Sequence, residues 1–391
     1  MLDCGWDGRL DTKLLEPVLE YVDSLNAVLI SHPDITHMGG LPYIIKKRSY
    51  NLPIYISELA YAHLLFFMIS ATVAVICMED MYENWLEGAE NCVFDRDDIE
   101  RVANNFQKLT YNQSGIISND RGVDITVTPY LFFYILMHSR RAGHLIGGSI
   151  WNIMTDADTL VYSMHINTVS DNHLYGADYK IDRKITMLLT NICEDNDRKQ
   201  DSRQEEIAKF EKFRHLIVST LQDLQGNVLI PVDTAGRCLE VLLLLERLWE
   251  EKQLDYFKVY FLTKRNDSFL KYVRSNSNLL YSNPRSVRDE REAFDLHYIT
   301  YASAVEQIPE SGCKVVVATM SDLENSYSQI YLNKWCAKQE NLLLFITSPS
   351  PDTLAWRILK NPRENSFSYV VCLPLSLLVI AFIWLWFYVY G

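Results

Sequence analysis

Short apolar runs alternate with helical repeats along the first half of the chain, which has 391 residues in all. Short runs of mostly apolar residues predict strands at 27–30, 53–56, 123–128, 147–153 and 159–162. Apolar residues that recur at helical spacing predict helices at 14–25 and 96–109. The alternation predicts an α/β domain over residues 1–195.

A charged run of mixed sign, 194–206, separates this half from a second alternating block. In that block we predict strands at 227–232, 256–262, 314–319 and 342–346. We predict helices at 207–224, 238–252, 266–274 and 329–337. Helices between apolar strands are typical of a parallel sheet, so the block 200–345 is also predicted to be α/β.

Three apolar segments do not fit this alternation, namely 59–78, 130–137 and 368–391. The last has no charged residue and is long enough to span a membrane. The first has the length of a span but contains His63 and Ser70, and the second is too short. A membrane anchor at 368–391 is therefore one hypothesis from the sequence.

Composition narrows the range of functions. The net charge of −13 excludes an overall basic field for RNA, although it allows a local basic groove or a basic partner. The eight cysteines are scattered without a Cys-x-x-Cys pair, which favours reduced thiols in the cytosol or nucleus. Asp3 and Asp7 interrupt the amino-terminal stretch, so we predict no secretory signal peptide.

A polar sequence, 31–43, follows the first predicted strand and contains candidate metal ligands. His32, Asp34 and His37 carry side chains of the types that bind zinc, whereas the neutral hydroxyl of Thr36 is a poor zinc ligand. Four other motifs accompany this loop in chain order. They are 2–7, 142–151, 226–240, and 314–318 together with 353–355.

In this order, over most of residues 1–362, the motifs resemble the metallo-β-lactamase/β-CASP family of RNA-processing nucleases. The Ser-His-Pro-Asp sequence at 31–34 resembles non-catalytic members of that family. The resemblance implies an α/β (α+β) fold, in which a metallo-β-lactamase αββα sandwich carries an inserted β-CASP domain. It implies a first domain at 1–195, a β-CASP domain at 200–345, a return to the first domain at 346–365, and an apolar tail at 366–391.

The chain departs from the family pattern at three places. It begins at what should be the second strand, so we expect it to be truncated at both ends, with the first strand of the sheet missing. An insertion at 130–141 interrupts a short join, and the resemblance ends after Pro362. We interpret the insertion and the tail as translated intron sequence, a gene-model artefact, as an alternative to membrane segments.

The resemblance also implies a ligand set. Active members bind two zinc ions and use a bridging hydroxide on the RNA phosphodiester. His32, His37 and His144 stand at retained histidine positions. Asp34 replaces a histidine, Thr36 replaces an aspartate, and His165 stands at the bridging aspartate. An acidic position is occupied by Asn191, and a later histidine position by Arg357.

Three states of this site follow from the resemblance. One is a dinuclear centre, and a second is a single residual zinc held by His32, Asp34 and His144, with or without His165. The third is a collapsed site without a metal, in which the polar side chains hydrogen-bond to one another and to water. We favour the third because buried polar groups need partners but not metals, and we therefore expect no cofactor.

The turn 233–237 follows a predicted strand and opens a helix. Such a turn can hold a phosphate through its backbone N–H groups, and Arg237 could then contact RNA or pair with Glu240. We favour a simpler interpretation, in which Asp233 or Thr234 caps the helix. The sequence contains no Ser-His-Asp order, Walker loop, Rossmann glycine pattern or RNA-recognition signature.

The resemblance implies a non-catalytic pseudo-nuclease subunit of the nuclear machinery for cleavage and polyadenylation of pre-mRNA 3′ ends. Its expected partners are the active β-CASP endonuclease subunit, other cleavage and polyadenylation subunits, and pre-mRNA through the complex. The first alternative is an active zinc-dependent RNA hydrolase with an unusual ligand set. The second is the membrane-anchored protein described above.

Overall fold

The fold is described here from a computed structural model. The model describes residues 1–48, 52–58, 69–86, 92–110, 113–118, 124–130, 145, 147–166, 184–191, 202–234, 236–265, 268, 296–360 and 379–382.

The first domain begins with a three-stranded parallel sheet and the helices that cover it. Its strands, in the order β1-β2-β3, are Val28–Ile30, Ile54–Glu58 and Phe106–Thr110. The helices are α1 Glu16–Tyr21, α2 Ile35–Met38, α3 Leu41–Arg48, α4 Ile69–Leu86 and α5 Arg96–Asn104. Buried residues of both kinds of element, among them Ile30, Ile54 and Met78, form one apolar cluster. This cluster fixes the carboxyl end of β1, where the polar loop begins.

A five-stranded sheet faces the three-stranded one. Its strands, in the order β4-β5-β6-β7-β8, are Gly115–Ser118, Asp124–Tyr130, Ile150–Met154, Thr159–Ser163 and Met187–Thr190. Leu29, Val127 and Trp151 lie in a single cluster between the two sheets. The Trp151 indole Nε1–H donates to the Ile30 carbonyl at 2.9 Å. Two sheets with helices outside the first agree with the predicted sandwich.

The second domain is built on a six-stranded, entirely parallel sheet. In the order β11-β10-β12-β9-β13-β14, its strands are Ile299–Ala302, Lys258–Leu262, Lys314–Thr319, Val228–Val232, Leu342–Phe345 and Val379–Phe382. Helices α6 Ser202–Gln222 and α7 Cys238–Lys252 pack on one face. Helices α8 Tyr327–Trp335 and α9 Leu354–Lys360 pack on the other. Coverage of both faces explains why these strands read as continuous apolar runs, and it confirms the predicted α/β block.

One predicted helix is wrong in its last five residues. The segment 96–109 is helical only to Asn104, after which Phe106–Thr110 forms β3 and pairs in parallel with β2. The amino end of α5 is fixed by Asp95 and Asp98, whose side chains bond each other's backbone N–H groups. The pairing of β3 with β2 is a long-range interaction, and it overrides the helical spacing that continues into Phe106 and Leu109.

The apolar segments have different outcomes. Residues 69–78 belong to α4, where Val73, Ala74 and Cys77 are buried in the first core. This part of 59–78 is a helix of the first core. Residues 131–137 and most of 368–391 lie outside the described residues, but 379–382 form β14 beside β13. Within the described ranges, no helix combines the length and apolarity needed to cross a membrane.

The segment expected to return to the first domain also differs. In its described part, 346–360, the α9 residues Leu354, Ala355 and Ile358 pack into the core of the second sheet. The backbone N–H of Leu354 donates to the Glu324 carboxylate at 2.7 Å. The described part of 346–365 therefore belongs with the second sheet.

Candidate functional site

The polar loop is held by its own helix and by the first residues of the chain. Asp34 is the N-cap of α2 and accepts a hydrogen bond from the His37 backbone N–H at 3.1 Å. The Cys4 N–H donates to the His37 carbonyl, and the Trp6 N–H donates to the Ile35 carbonyl. Residues 35–37 of the loop therefore lie against residues 4–6, which helps to fix where the loop side chains point.

His37 lies at the centre of the site with both ring nitrogens engaged. Its Nδ1 is 2.7 Å from Asp34 Oδ1, and its Nε2 is 2.9 Å from His165 Nδ1. Burial lowers the pKa of His37, but the Asp34 carboxylate outweighs burial and raises the pKa above its ordinary value. Burial alone would raise the pKa of Asp34. The charge of His37 and its hydrogen bond outweigh burial and lower the pKa of Asp34 below its ordinary value. The pair is therefore a buried ion pair.

His32 is tied into a second chain of hydrogen bonds. Its Nδ1 lies 2.9 Å from Ser31 Oγ, and that hydroxyl donates to Asp3 Oδ2 at 2.7 Å. The Tyr162 hydroxyl donates to the same carboxylate oxygen at 2.5 Å. His32 is also hydrogen-bonded to the His165 backbone, and burial lowers its pKa well below the ordinary value. These contacts fix the position of the His32 ring inside the site.

His165 closes the site from β7. Its backbone has φ of 43°, in the left-handed region that a residue with a β-carbon adopts at a cost. Its N–H donates to Asn191 Oδ1 at 3.1 Å. Burial, and then the neighbouring charge on His37, lower the pKa of His165 to about 4. Asn191 therefore holds the backbone of a neutral imidazole that faces His37.

The structure thus brings together most of the residues singled out from the sequence. His32, Asp34, Thr36, His37, His165 and Asn191 form one connected hydrogen-bond network. Arg357 lies on α9, where its charge acts on Glu324. His144 lies outside the described residues. Sequence reasoning assigned no role to Asp3 or Tyr162, because their bonds to the loop join strands that are far apart in the chain.

The described side chains do not fit a metal. A histidine ligand needs a free nitrogen lone pair, and both nitrogens of His37 are in hydrogen bonds. Asp34 Oδ1 already accepts hydrogen bonds from the Thr36 hydroxyl, from the backbone N–H of His37 and from His37 Nδ1. His32, His37 and His165 lie close together, but no set of three His, Cys, Asp or Glu side chains among the described residues has the arrangement that could hold a metal ion.

A cavity of about 250 Å³ opens beside the network, between the two domains. Asp34, Thr36, His37 and His165 line its first-domain side. The second-domain side is lined by residues at the carboxyl ends of parallel strands, where α/β proteins place their ligands. They are Val232, Asp233, Gly236, Arg237, Ser321 and 346–351.

The turn 233–237 does not cap its helix. Helix α7 has Arg237 at its N-cap position without a side-chain hydrogen bond to the helix, so the predicted cap by Asp233 or Thr234 is wrong. Asp233 instead accepts bonds from the N–H and hydroxyl of Ser321, and Thr234 donates to Asp80. Burial, with the nearby Asp322 carboxylate, raises the pKa of Asp233 to about 7. Arg237 is buried at the cavity wall.

Comparisons with known proteins follow the same division of the chain. Residues 1–192 match a metallo-β-lactamase superfamily domain, and residues 238–358 match a β-CASP domain. The chain therefore belongs to the metallo-β-lactamase/β-CASP family.

Its relatives include both specificity factors and an endoribonuclease. The chain is 31% identical over 373 residues to cleavage and polyadenylation specificity factor subunit 2 of Arabidopsis thaliana, with 94% of the chain and 46% of the relative covered. It is 30% identical to the probable subunit 2 of Drosophila melanogaster, covering 92% and 45%. Identity to endoribonuclease ysh1 of Schizosaccharomyces pombe is 22%, covering 93% and 44%. The chain spans a little under half the length of these relatives.

Proposed function

We propose that this chain is a non-catalytic subunit of the cleavage and polyadenylation specificity factor complex, acting in the nucleus on pre-mRNA 3′ ends. The observation that carries the proposal is the engagement of His37, whose two ring nitrogens bond Asp34 and His165. In an active relative these side chains would have to turn toward metal ions. Here the side chains satisfy one another's hydrogen-bonding groups.

The chemistry of the network supports the absence of turnover. Two-metal hydrolysis of a phosphodiester needs a carboxylate that bridges both ions and a metal-bound water as nucleophile. His165 stands at the position of that carboxylate, and one imidazole nitrogen cannot bridge two ions. The His37 ion pair supplies no nucleophile. The alternative, an active zinc-dependent hydrolase, would require the hydrogen bonds of His37 to break.

The proposed role is that of a partner and scaffold. The similarity to subunit 2 proteins covers at least 92% of the chain, so both domains would take part in complex formation. The partner we propose is the active β-CASP endonuclease subunit, because 93% of the chain aligns at 22% identity with an endoribonuclease, ysh1 of Schizosaccharomyces pombe. Pre-mRNA would be contacted through the assembled complex, with buried Arg237 in the cavity wall as one candidate contact.

The proposal is tested by co-expression with the active endonuclease subunit of the same complex. We expect the two chains to co-purify, and we expect RNA cleavage to require the partner. Replacing His32 with alanine in this chain should leave cleavage by the pair intact. Cleavage by this chain alone, lost on His32→Ala, would refute the proposal.

A further inference from the structure

Helix α4 belongs to the first domain in sequence but contacts the cores of both domains. Val73, Met78 and Met81 are buried in the first core. Ile76, on the same helix, is buried in the core formed by the second sheet with α6 and α7. A single helix therefore spans the junction between the domains.

The strongest polar contact across the junction is made by Asp80. Its side chain is 2% exposed and accepts hydrogen bonds from the hydroxyls of Thr234 at 2.7 Å and Thr263 at 2.8 Å. The two threonine hydroxyls also lie 3.1 Å apart. Thr263 directly follows β10, and Thr234 comes two residues after the end of β9, so the carboxylate lies at the carboxyl edge of the parallel sheet. That edge is where an α/β sheet leaves room for a ligand.

A group of charged contacts lies one turn further along the helix. The Glu83 carboxylate is 2.6 Å from the Arg265 guanidinium and 2.6 Å from that of Arg96. The Lys264 ammonium donates to the Glu83 carbonyl at 2.7 Å. Arg265 is also 3.3 Å from Glu79. The segment after β10 is therefore held by the side chains and the carboxyl end of α4 together.

This contact lies directly behind the cavity between the domains. Thr234, which Asp80 holds, follows Asp233, and the same turn carries Gly236 and Arg237 into the cavity wall. The opposite wall is made by the loop that contains Asp34 and His37. Movement of the second domain away from α4 would therefore widen the cavity, and the Asp80 contact opposes that movement.

We propose that α4 is an interdomain latch, in which Asp80 bonded to Thr234 and Thr263 holds the two domains closed over the cavity. The latch concerns regulation of the site described above and rests on the proposed function. The contact keeps the two domains together in the chain on its own. An RNA strand could then enter the cavity only after the hydrogen bonds of Asp80 to Thr234 and Thr263 break.

Amide hydrogen exchange on the full chain tests the latch through two substitutions that weaken it, each with a matched control substitution. Thr263→Val removes one hydroxyl donor with little change of shape, and Thr263→Ser retains the donor. Asp80→Asn removes the charge, and Asp255→Asn, at an exposed position of the second domain, is the matched control. We expect exchange at the amides of Ile346, Thr347, Ser348 and Ser350, and at 233–238, to rise about tenfold or more in Thr263→Val and Asp80→Asn. Thr263→Ser and Asp255→Asn should behave as the native chain.

The position of the change distinguishes opening from local loosening. Residues 346–351 line the cavity and have no hydrogen bond to α4 among the described contacts, so faster exchange there reports separation of the domains. Faster exchange confined to α4 and 263–265, or spread through both cores, would overturn the latch. Because this experiment needs neither the partner nor RNA, its failure leaves the co-purification test of the proposed function standing, and the reverse also holds.

Discussion

His37 Nε2 lies 2.9 Å from His165 Nδ1, a contact between residues that are 128 positions apart in the chain. The other nitrogen of His37 is bound to Asp34, so the imidazole joins the first loop to the end of β7. Under the proposed function, this contact makes the first loop and the end of β7 one structural element.

Replacing Asp34 with alanine should strongly destabilise the protein. The substitution removes the N-cap of α2 and leaves His37 buried without its counter-charge. We expect a loss of about 3–5 kcal/mol in the free energy of unfolding, measured by urea denaturation. Asp11→Ala is the matched control, because Asp11 caps an exposed turn through a single bond to the Lys13 N–H. It should cost only about 1 kcal/mol. Equal losses in the two variants would show that the Asp34–His37 ion pair adds nothing to the free energy of unfolding beyond an ordinary helix cap.

Gly5→Ala should displace the loop. A β-carbon at Gly5 would lie 1.8 Å from the backbone oxygen of Thr36, which cannot move without breaking the bonds of Cys4 and Trp6 to the same loop. We expect a loss of at least about 2 kcal/mol in thermal or chemical unfolding. At Gly236 the nearest atom to an added β-carbon is 3.4 Å away, so Gly236→Ala should cost about 0.5 kcal/mol or less. A tolerated Gly5→Ala would mean that residues 4–6 do not fix the loop.

The pH dependence of stability should depend on Asp233. Its pKa is raised from 3.8 to about 7 in the folded chain, so the folded state binds its proton more tightly than the unfolded state does. The stabilisation is complete below pH 3.8 and is lost as the pH rises through about 7. Asp233→Asn should therefore remove a decline of up to about 4 kcal/mol between about pH 4 and pH 8. Asp255→Asn should leave the decline unchanged. The same pH curve for Asp233→Asn and the native chain would contradict the assignment.

Much of the second sheet could be predicted because its central strands β9, β12 and β13 are buried along their whole length. The strand and helix around the turn 233–237 were predicted closely, since an uninterrupted apolar run ends there and a helical repeat begins. Helix α4 was missed for the opposite reason. Its apolar residues face two cores, so they show no single stripe, and the run resembled a membrane segment.

The sequence could predict which residues belong to the site, but it could not predict the hydrogen bonds that they make. His32, Asp34 and His37 follow from one loop, whereas His165 and Asn191 were placed only through a family resemblance. The partners Asp3, Tyr162 and Asp80 could not be found from periodicity, because their contacts depend on how separate sheets pack. Sequence patterns show which residues are close along the chain and which face of a helix or strand is apolar. They do not show which polar side chains from separate sheets or domains come into contact.

Zinc content tests the central claim most directly. The full chain is purified, incubated with zinc, dialysed and analysed for bound metal, with His32→Ala as the paired variant. We predict no stoichiometric zinc in either protein, because the nitrogens of His37 and the Oδ1 atom of Asp34 are already hydrogen-bonded. Two tightly bound zinc ions per chain, lost in His32→Ala, would contradict the claim that the site is a hydrogen-bonded network without catalytic function.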